Sequence, residues 1–280
     1  MVALDPRINP FRPGIAAKHL QGQVEAERFV EGKRHQVIEP VTALRRAPSH
    51  DARLDSEALL GEHVMVYETT EEGWAWGQLE TDAHVGWLSA NSLGPSGPAP
   101  THKIVALRAF AFPAPDFKLP PIAGLPMGAR LTIVRQEERF AVTASGWHVP
   151  TVCLAPIRAR SSDFVTVAEQ FLGTPYLWGG KTSLGMDCSG LVQVSLQAAG
   201  IACPRDSDLQ ELTLGKLSSL ASLRRGDLLF WKGHVAIARD PETVIHANAH
   251  HMMVAIESPT EAIARIKAAG AEITAVKRVA

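Results

Sequence analysis

The strongest constraint on this 280-residue chain is that its first half echoes itself. "VTALRRAPS" (41–49) resembles "IVALRAFAFP" (104–113), and each is followed by a glycine that opens a β-rich run, Gly61 in "LLGEHVMVY" and Gly128 in "LPMGARLTIV". Each copy then closes on Gly-Trp and Leu-x-Pro: Gly86-Trp87 with "LGP", and Gly146-Trp147 with "LAP". A diverged repeat of roughly 60 residues reads as two copies of one small domain. Short alternating strands bounded by Gly, Pro and Asp make both copies small β-barrels. "GPSGPAP" (94–100) is a linker by composition. The proline-bearing start, "MVALDPRINPFRPGIAAKHL", reads as an extended arm. The expected boundaries are 1–34 for the arm, 35–95 and 101–158 for the β-domains, and 160–280 for a third domain.

After about residue 160 the pattern changes. "SDFVTVAEQFLGT" has apolar residues at helical spacing, Ser162 or Asp163 as N-cap and Gly173 as terminator. "CSGLVQVSLQAAG" repeats the design, with Asp187 as N-cap and Gly200 as stop. Strands are expected at 226–231, 234–238, 243–247, 252–257 and 273–279, interrupted by a helix over 259–270. Helices followed by an antiparallel meander describe an α+β domain.

Composition narrows the class. With 46% hydrophobic and 20% charged residues the chain has ample core, and a net charge of −1 gives no footing for nucleic acid. No run approaches the roughly 18 apolar residues of a membrane-spanning helix. The N-terminus lacks a basic segment followed by an apolar one, so it does not read as a secretory signal. Three cysteines, an odd number, argue for a reducing compartment, the cytoplasm, over a disulfide framework.

Cys188 falls in the first turn of its helix, where free N–H groups and the helix dipole favour a thiolate. His234 opens one strand and His246 lies on the next, twelve residues on, joined by the short connection "RDPET". One imidazole can take the thiol proton while the other orients it. A buried structural cysteine and ordinary strand histidines remain open at this point. A zinc site on Cys188, His234 and His246 is the other reading, with no CxxC or HExxH pairing to support it.

The ordered segments "GTPYLWGGKTSLGMDCSGLVQ" (173–193), "PRDSDLQ" (204–210), "RRGDLLFWKGHVAIA" (224–238) and "VIHANA" (244–249) resemble the NlpC/P60 family of papain-like cysteine peptidases. The two β-repeats ahead of them resemble bacterial SH3 domains. Together they imply a multidomain fold: two small SH3-like β-barrels followed by an α+β papain-like catalytic domain. The layout is similar to the γ-D-glutamyl-L-diamino-acid endopeptidases, which cut murein peptides bearing a free N-terminal L-Ala. The resemblance implies Cys188 as nucleophile, His234 as general base and His246 as the orienting third member, with no metal and no cofactor. It implies Tyr176 as an oxyanion or substrate contact. Asp187 and Ser189 match contacts to the substrate amine and neighbouring backbone, and Ser207 a further substrate contact. Trp178, Gly179 and Gly180 would shape the cleft wall, with His250 and His251 as loop residues beside it. Asp55 and His84 fall where the subgroup has a glutamate and a tyrosine in the amine pocket. Both depart from that pattern: Asp shortens the reach, and His makes the hydrogen bond depend on tautomer or charge. The expected partner is a murein-derived peptide, with no nucleic acid, no membrane span and no assigned oligomeric state. The competing readings are a papain-like amidase or acyltransferase on another amide or ester, and a non-catalytic wall-fragment-binding protein.

Overall fold

The computed structural model describes residues 4–279, which divide into two compact units, one ending at Arg158 and one starting at Ala159. Residues 1–3 of the expected arm and Ala280 lie outside the described residues.

In the first unit the echoes in sequence become echoes in strand order. A seven-stranded antiparallel sheet runs Leu93–Pro95, Lys33–Val37, His63–Thr69, Trp74–Leu79, Val85–Ser89, Val41–Arg45, Leu54–Leu59. Val37, Leu44, Ala58, Val64, Leu79 and Leu88 close its core with no solvent exposure. The next stretch places Leu154–Pro156 beside His102–Ile104 and that beside Arg130–Leu131. Ile133–Gln136, Phe140–Thr143 and His148–Pro150 follow, and a bridge from His148 to Phe112 leads to Arg108–Ala111 and Ala123–Pro126. Each series has a one-turn 3₁₀ helix before its last strand, Ala90–Ser92 and Thr151–Cys153. The two halves lock together at Gly61: Arg130 N–H donates to the Leu60 carbonyl at 2.8 Å, and a Cβ on Gly61 would lie 2.3 Å from the Arg130 oxygen. Gly61 also sits at φ +81°, a conformation that glycine alone takes without strain. Leu60 packs into the core of the second half.

The N-terminal segment is not an extended arm. Phe11–Arg12, Ile15–Ala17 and Phe29–Val30 form a three-stranded sheet. Ile15 is fully buried against Trp74, Trp76 and Trp87. The Arg12 guanidinium lies 5.1 and 5.2 Å from the rings of Trp76 and Trp87 and pairs with Glu68. Three tryptophans make an apolar surface too large to leave in water, and the segment covers it. Prolines here stop regular structure without stopping burial.

The second unit is an α+β fold. Four helices, α1 (Phe164–Glu169), α2 (Cys188–Ala198), α3 (Ser207–Thr213) and α4 (Pro259–Ala268), accompany a six-stranded antiparallel sheet. Its order is Lys216–Leu217, Ile273–Arg278, Asp227–Trp231, His234–Ala238, Val244–Asn248, Met253–Glu257. α1 packs on α2, and α2 packs on the strands that carry His234 and His246. α4 covers the face on which Ala236, Ala238 and Val244 meet Ala262. Strand alternation puts His234 and His246 on that same face. Asp163 caps α1 by accepting from Val165 N–H at 2.9 Å. Ser207 is the first residue of α3, where Gln210 donates to the carbonyls of Ser189 and Pro204 at 2.9 Å each.

Candidate active site

The mouth of α2 is built by Asp187. As N-cap its Oδ1 accepts from Gly190 N–H at 2.7 Å, and Oδ2 reaches back to Gly179 N–H at 2.8 Å. Such a cap contributes about 1 kcal/mol. Arg205, 1% exposed, donates to both carboxylate oxygens at 2.9 and 2.7 Å and to Ser189 Oγ at 2.8 Å. Ser189 Oγ itself donates to Asp187 Oδ1 at 3.3 Å. Five donors therefore crowd a carboxylate with about four lone-pair sites. Gly190 allows this closeness, since a Cβ there would lie 2.4 Å from the Gly180 carbonyl oxygen.

Cys188 is thereby held as the first residue of α2, 7% exposed, with the backbone N–H groups of Val235 and Ser189 directed at its sulfur. Val235 follows His234, so the strand that carries the imidazole also supplies a backbone donor to Cys188. The expectation of a thiolate at rest is corrected here. Burial, with the Asp187 charge beside it, pushes the Cys188 thiol up to about 12, against the two N–H groups and Arg205. Burial likewise pushes His234 down to about 3, helped by His246 and Arg265 and opposed by Glu257. Thiol and imidazole therefore both rest neutral; one turn of helix does not outweigh full desolvation.

His234 Nε2 lies 2.8 Å from His246 Nδ1, and the Trp231 ring stands 5.6 Å from the His234 ring. His246, 1% exposed, continues from Nε2 to Glu257 Oε1 at 2.6 Å, and Glu257 pairs with Arg265 of α4. Burial lowers His246, while the hydrogen bond and charge of Glu257 pull the other way. Burial also works against the Glu257 charge, but the His246 hydrogen bond and Arg265 win and hold that carboxyl below its usual range. Tyr176 is half-buried at the same place. Burial first, then the neighbouring Cys188 and Asp187, raise its phenol above the ordinary value, so it stays a hydrogen-bond donor.

In the second unit Tyr176, Asp187 and Ser189 lie with Cys188, the His234–His246 pair stands on the two strands against which α2 packs, and Ser207 begins α3 two residues after Arg205. Trp178 is 60% exposed, while Gly179 and Gly180 are buried in the turn that Asp187 holds. In the loop beyond His246, His251 N–H donates to Asn248 Oδ1 at 2.8 Å, and His250 stacks edge-on against His251. Asp55 and His84 belong to the first unit. Asp55 is a strand residue whose carboxylate accepts from Arg46 at 2.9 and 3.2 Å, and His84 is 2% exposed in its turn. The sequence reading passed over Arg205, Glu257 and Arg265. Arg205 stands within "PRDSDLQ", where nothing local announces that its guanidinium reaches Asp187. Glu257 and Arg265 are strand and helix residues eight apart, whose pairing no local pattern announces. Among the described residues no three His, Cys, Asp or Glu side chains converge as a metal site, and no helix is long and apolar enough to cross a membrane. Among the described residues no disulfide links Cys153, Cys188 and Cys203.

Two family models match: "Bacterial dipeptidyl-peptidase Sh3 domain" over residues 44–93 and "NlpC/P60 family" over residues 173–271. The chain is 28% identical over 200 residues to the Gamma-D-glutamyl-L-lysine dipeptidyl-peptidase of Bacillus subtilis (strain 168), covering 65% of each chain. It is 34% identical over 108 residues to the Probable endopeptidase NlpC of Escherichia coli (strain K12), covering 33% of this chain and 70% of that one. The chain spans 33% to 65% of the length of the first curated relatives it matches. Its fold is similar to the crystal structure of an NlpC/P60 family protein from Bacillus cereus ATCC 10987, with TM-score 0.73 and 20% identity, over 88% of this chain and 99% of that one.

Proposed function

The chain belongs to the NlpC/P60 family, and from that premise we propose that it is a cysteine endopeptidase. Its substrates on this reading are murein-derived peptides with a free N-terminal L-Ala, cut between γ-D-Glu and the L-diamino acid. The observation that carries the reading is the run from Cys188 at the mouth of α2, through the Val235 N–H beside His234, to His246 at 2.8 Å from His234. The kinship with a protein named for γ-D-glutamyl-L-lysine cleavage supports the substrate class.

Because thiol and imidazole rest neutral, the proton leaves Cys188 for His234 as sulfur attacks the γ-glutamyl carbonyl. The Cys188 backbone N–H and the Tyr176 phenol are the proposed donors to the oxyanion. The imidazolium then protonates the departing amine of the diamino acid, and the same imidazole activates the water that clears the acyl-enzyme. Asp187 and Ser189, with Ser207 at the start of α3, form the proposed substrate wall. Asp55 and His84 are the proposed amine pocket. In the first unit, residues 35–95 and 101–158 are proposed as two SH3-like copies, on the strength of their shared strand order. A free L-Ala amine exists only after the peptide has left its sugar, so the preference suits recycling of released fragments, with the cytoplasm as the proposed compartment.

The test is to incubate the protein with L-Ala-γ-D-Glu-meso-diaminopimelate, and with its N-acetylated form, and to identify products by mass spectrometry. Release of L-Ala-D-Glu from the free peptide only, abolished by Cys188→Ala, is the expected result. Equal cleavage of the acetylated peptide overturns the amine pocket. Acyl transfer without hydrolysis overturns the peptidase in favour of a transferase.

A further inference from the structure

We propose that Glu257, held by Arg265, is a positioning residue that sets the tautomers of both imidazoles and leaves Nδ1 of His234 as the ring nitrogen that takes the Cys188 proton. This rests on the reading of Cys188 and His234 as nucleophile and base. It begins from a chemical ambiguity. An ionised carboxylate beside a catalytic histidine only accepts, but a neutral histidine in that place accepts at a ring nitrogen or donates from it, according to its tautomer. A Cys-His-His arrangement therefore does not by itself say which way its protons point.

Glu257 removes the ambiguity one link at a time. Its carboxylate only accepts, so His246 Nε2, 2.6 Å away, must donate. His246 is 1% exposed and kept neutral by burial, so its single proton is now placed and its Nδ1 is an acceptor. His234 Nε2, 2.8 Å from that Nδ1, must then donate in turn. His234 is neutral as well, which leaves its Nδ1 with a lone pair and no proton. Three groups face Glu257: His246 from the adjacent strand, Arg265 from α4 and His251 from the loop between the two strands. Arg265 also donates to Glu257 Oε1, the oxygen that receives His246. It keeps the acceptor ionised and in place.

A neutral amide in place of the carboxylate breaks the logic without changing the volume. Its Nε2 can donate to His246 Nε2, which forces the opposite chain: His246 donates from Nδ1, His234 accepts at Nε2, and the His234 proton sits on Nδ1. That tautomer is useless as a base. The positions of the protons can be read without any activity, by ¹⁵N NMR of the full-length protein labelled in its histidines. In the wild-type protein both His234 and His246 are expected as Nε2–H tautomers; an Nδ1–H signal from either ring overturns the proposal. In Glu257→Gln the Nδ1–H form is expected to appear in both rings, kcat to fall about 100-fold, and KM to stay within about threefold. Glu257→Asp, which keeps the charge, is expected to keep the wild-type tautomers and most of the activity. Unchanged tautomers in Glu257→Gln, or unchanged kcat where Cys188→Ala abolishes hydrolysis, refute the role of Glu257. Full hydrolysis by Cys188→Ala refutes the peptidase reading and leaves the tautomer result to be judged by NMR alone.

Discussion

Replacing Arg205 by methionine isolates one buried charge. The guanidinium is 1% exposed and makes two hydrogen bonds to Asp187, at 2.9 and 2.7 Å, with further ones to Ser189 Oγ at 2.8 Å and the Gly180 carbonyl at 3.3 Å. Methionine fills most of the space but leaves Asp187 charged, 7% exposed, and supported only by the N–H groups of Gly179 and Gly190 and the Ser189 hydroxyl. Breaking one side of a buried pair costs about 3–5 kcal/mol. The two backbone donors that remain put the expected loss near the lower end, about 3 kcal/mol. In a unit of about 120 residues that lowers Tm by roughly 10 °C. The diagnostic comparison is the double variant Asp187→Asn/Arg205→Met, which removes the stranded charge. It is expected to recover at least about 1 kcal/mol relative to Arg205→Met alone. Urea unfolding, followed by amide exchange within α2 so that the second unit is read directly, measures both. A loss under about 1 kcal/mol for Arg205→Met, or a double variant less stable than the single one, refutes the reasoning that the ion pair holds the helix mouth.

Further outcomes follow from the same geometry. Alkylation of Cys188 by iodoacetamide is expected to be slow at pH 7 and to climb without a plateau to pH 10, since burial pushes the thiol up to about 12; a plateau centred below pH 6 contradicts a neutral resting pair. His234 and His246 both have lowered folded values, so below the ordinary histidine value of about 6.5 the unfolded chain binds protons that the folded one refuses. Stability therefore falls with falling pH by up to about 1.4 kcal/mol per unit for each histidine. His234→Gln should flatten that slope between pH 6 and 4, and an unchanged slope in acid titration of unfolding would contradict it. Tyr176→Phe is expected to lower kcat roughly 100-fold with little change in Tm, through loss of one donor to the oxyanion; steady-state kinetics with kcat intact would remove Tyr176 from that role.

What the sequence made legible was whatever local chemistry writes into neighbouring residues. Asp187 as cap, Cys188 as first residue of α2, and the strand 234–238 are set by capping preference, by alternation and by the glycine turn before them. The repeat around Gly61 and Gly128 was visible because both positions take positive φ, which keeps glycine in the text of the chain. Non-local facts were not legible. The burial of Ile15 under three tryptophans depends on where strands from residue 74 onward travel, and a proline-bearing segment offers no periodicity to betray it. The ionisation of Cys188 was misjudged because a helix start is a local feature, whereas desolvation belongs to the whole packed neighbourhood. Glu257 was read as the end of a strand, and its pairing with His246 and Arg265 needs the sheet and α4 in place together.

The lock at Gly61 bears on how such a chain can be rearranged over evolutionary time. Similar strand order invites a view of the first unit as two cassettes, free to be duplicated, lost or swapped. Leu60 is inserted into its neighbour's interior, and the Arg130 backbone occupies the only space a side chain at position 61 could use. Each half is thus part of the other's mould. Deleting or transplanting one of them would strip part of an interior from the survivor.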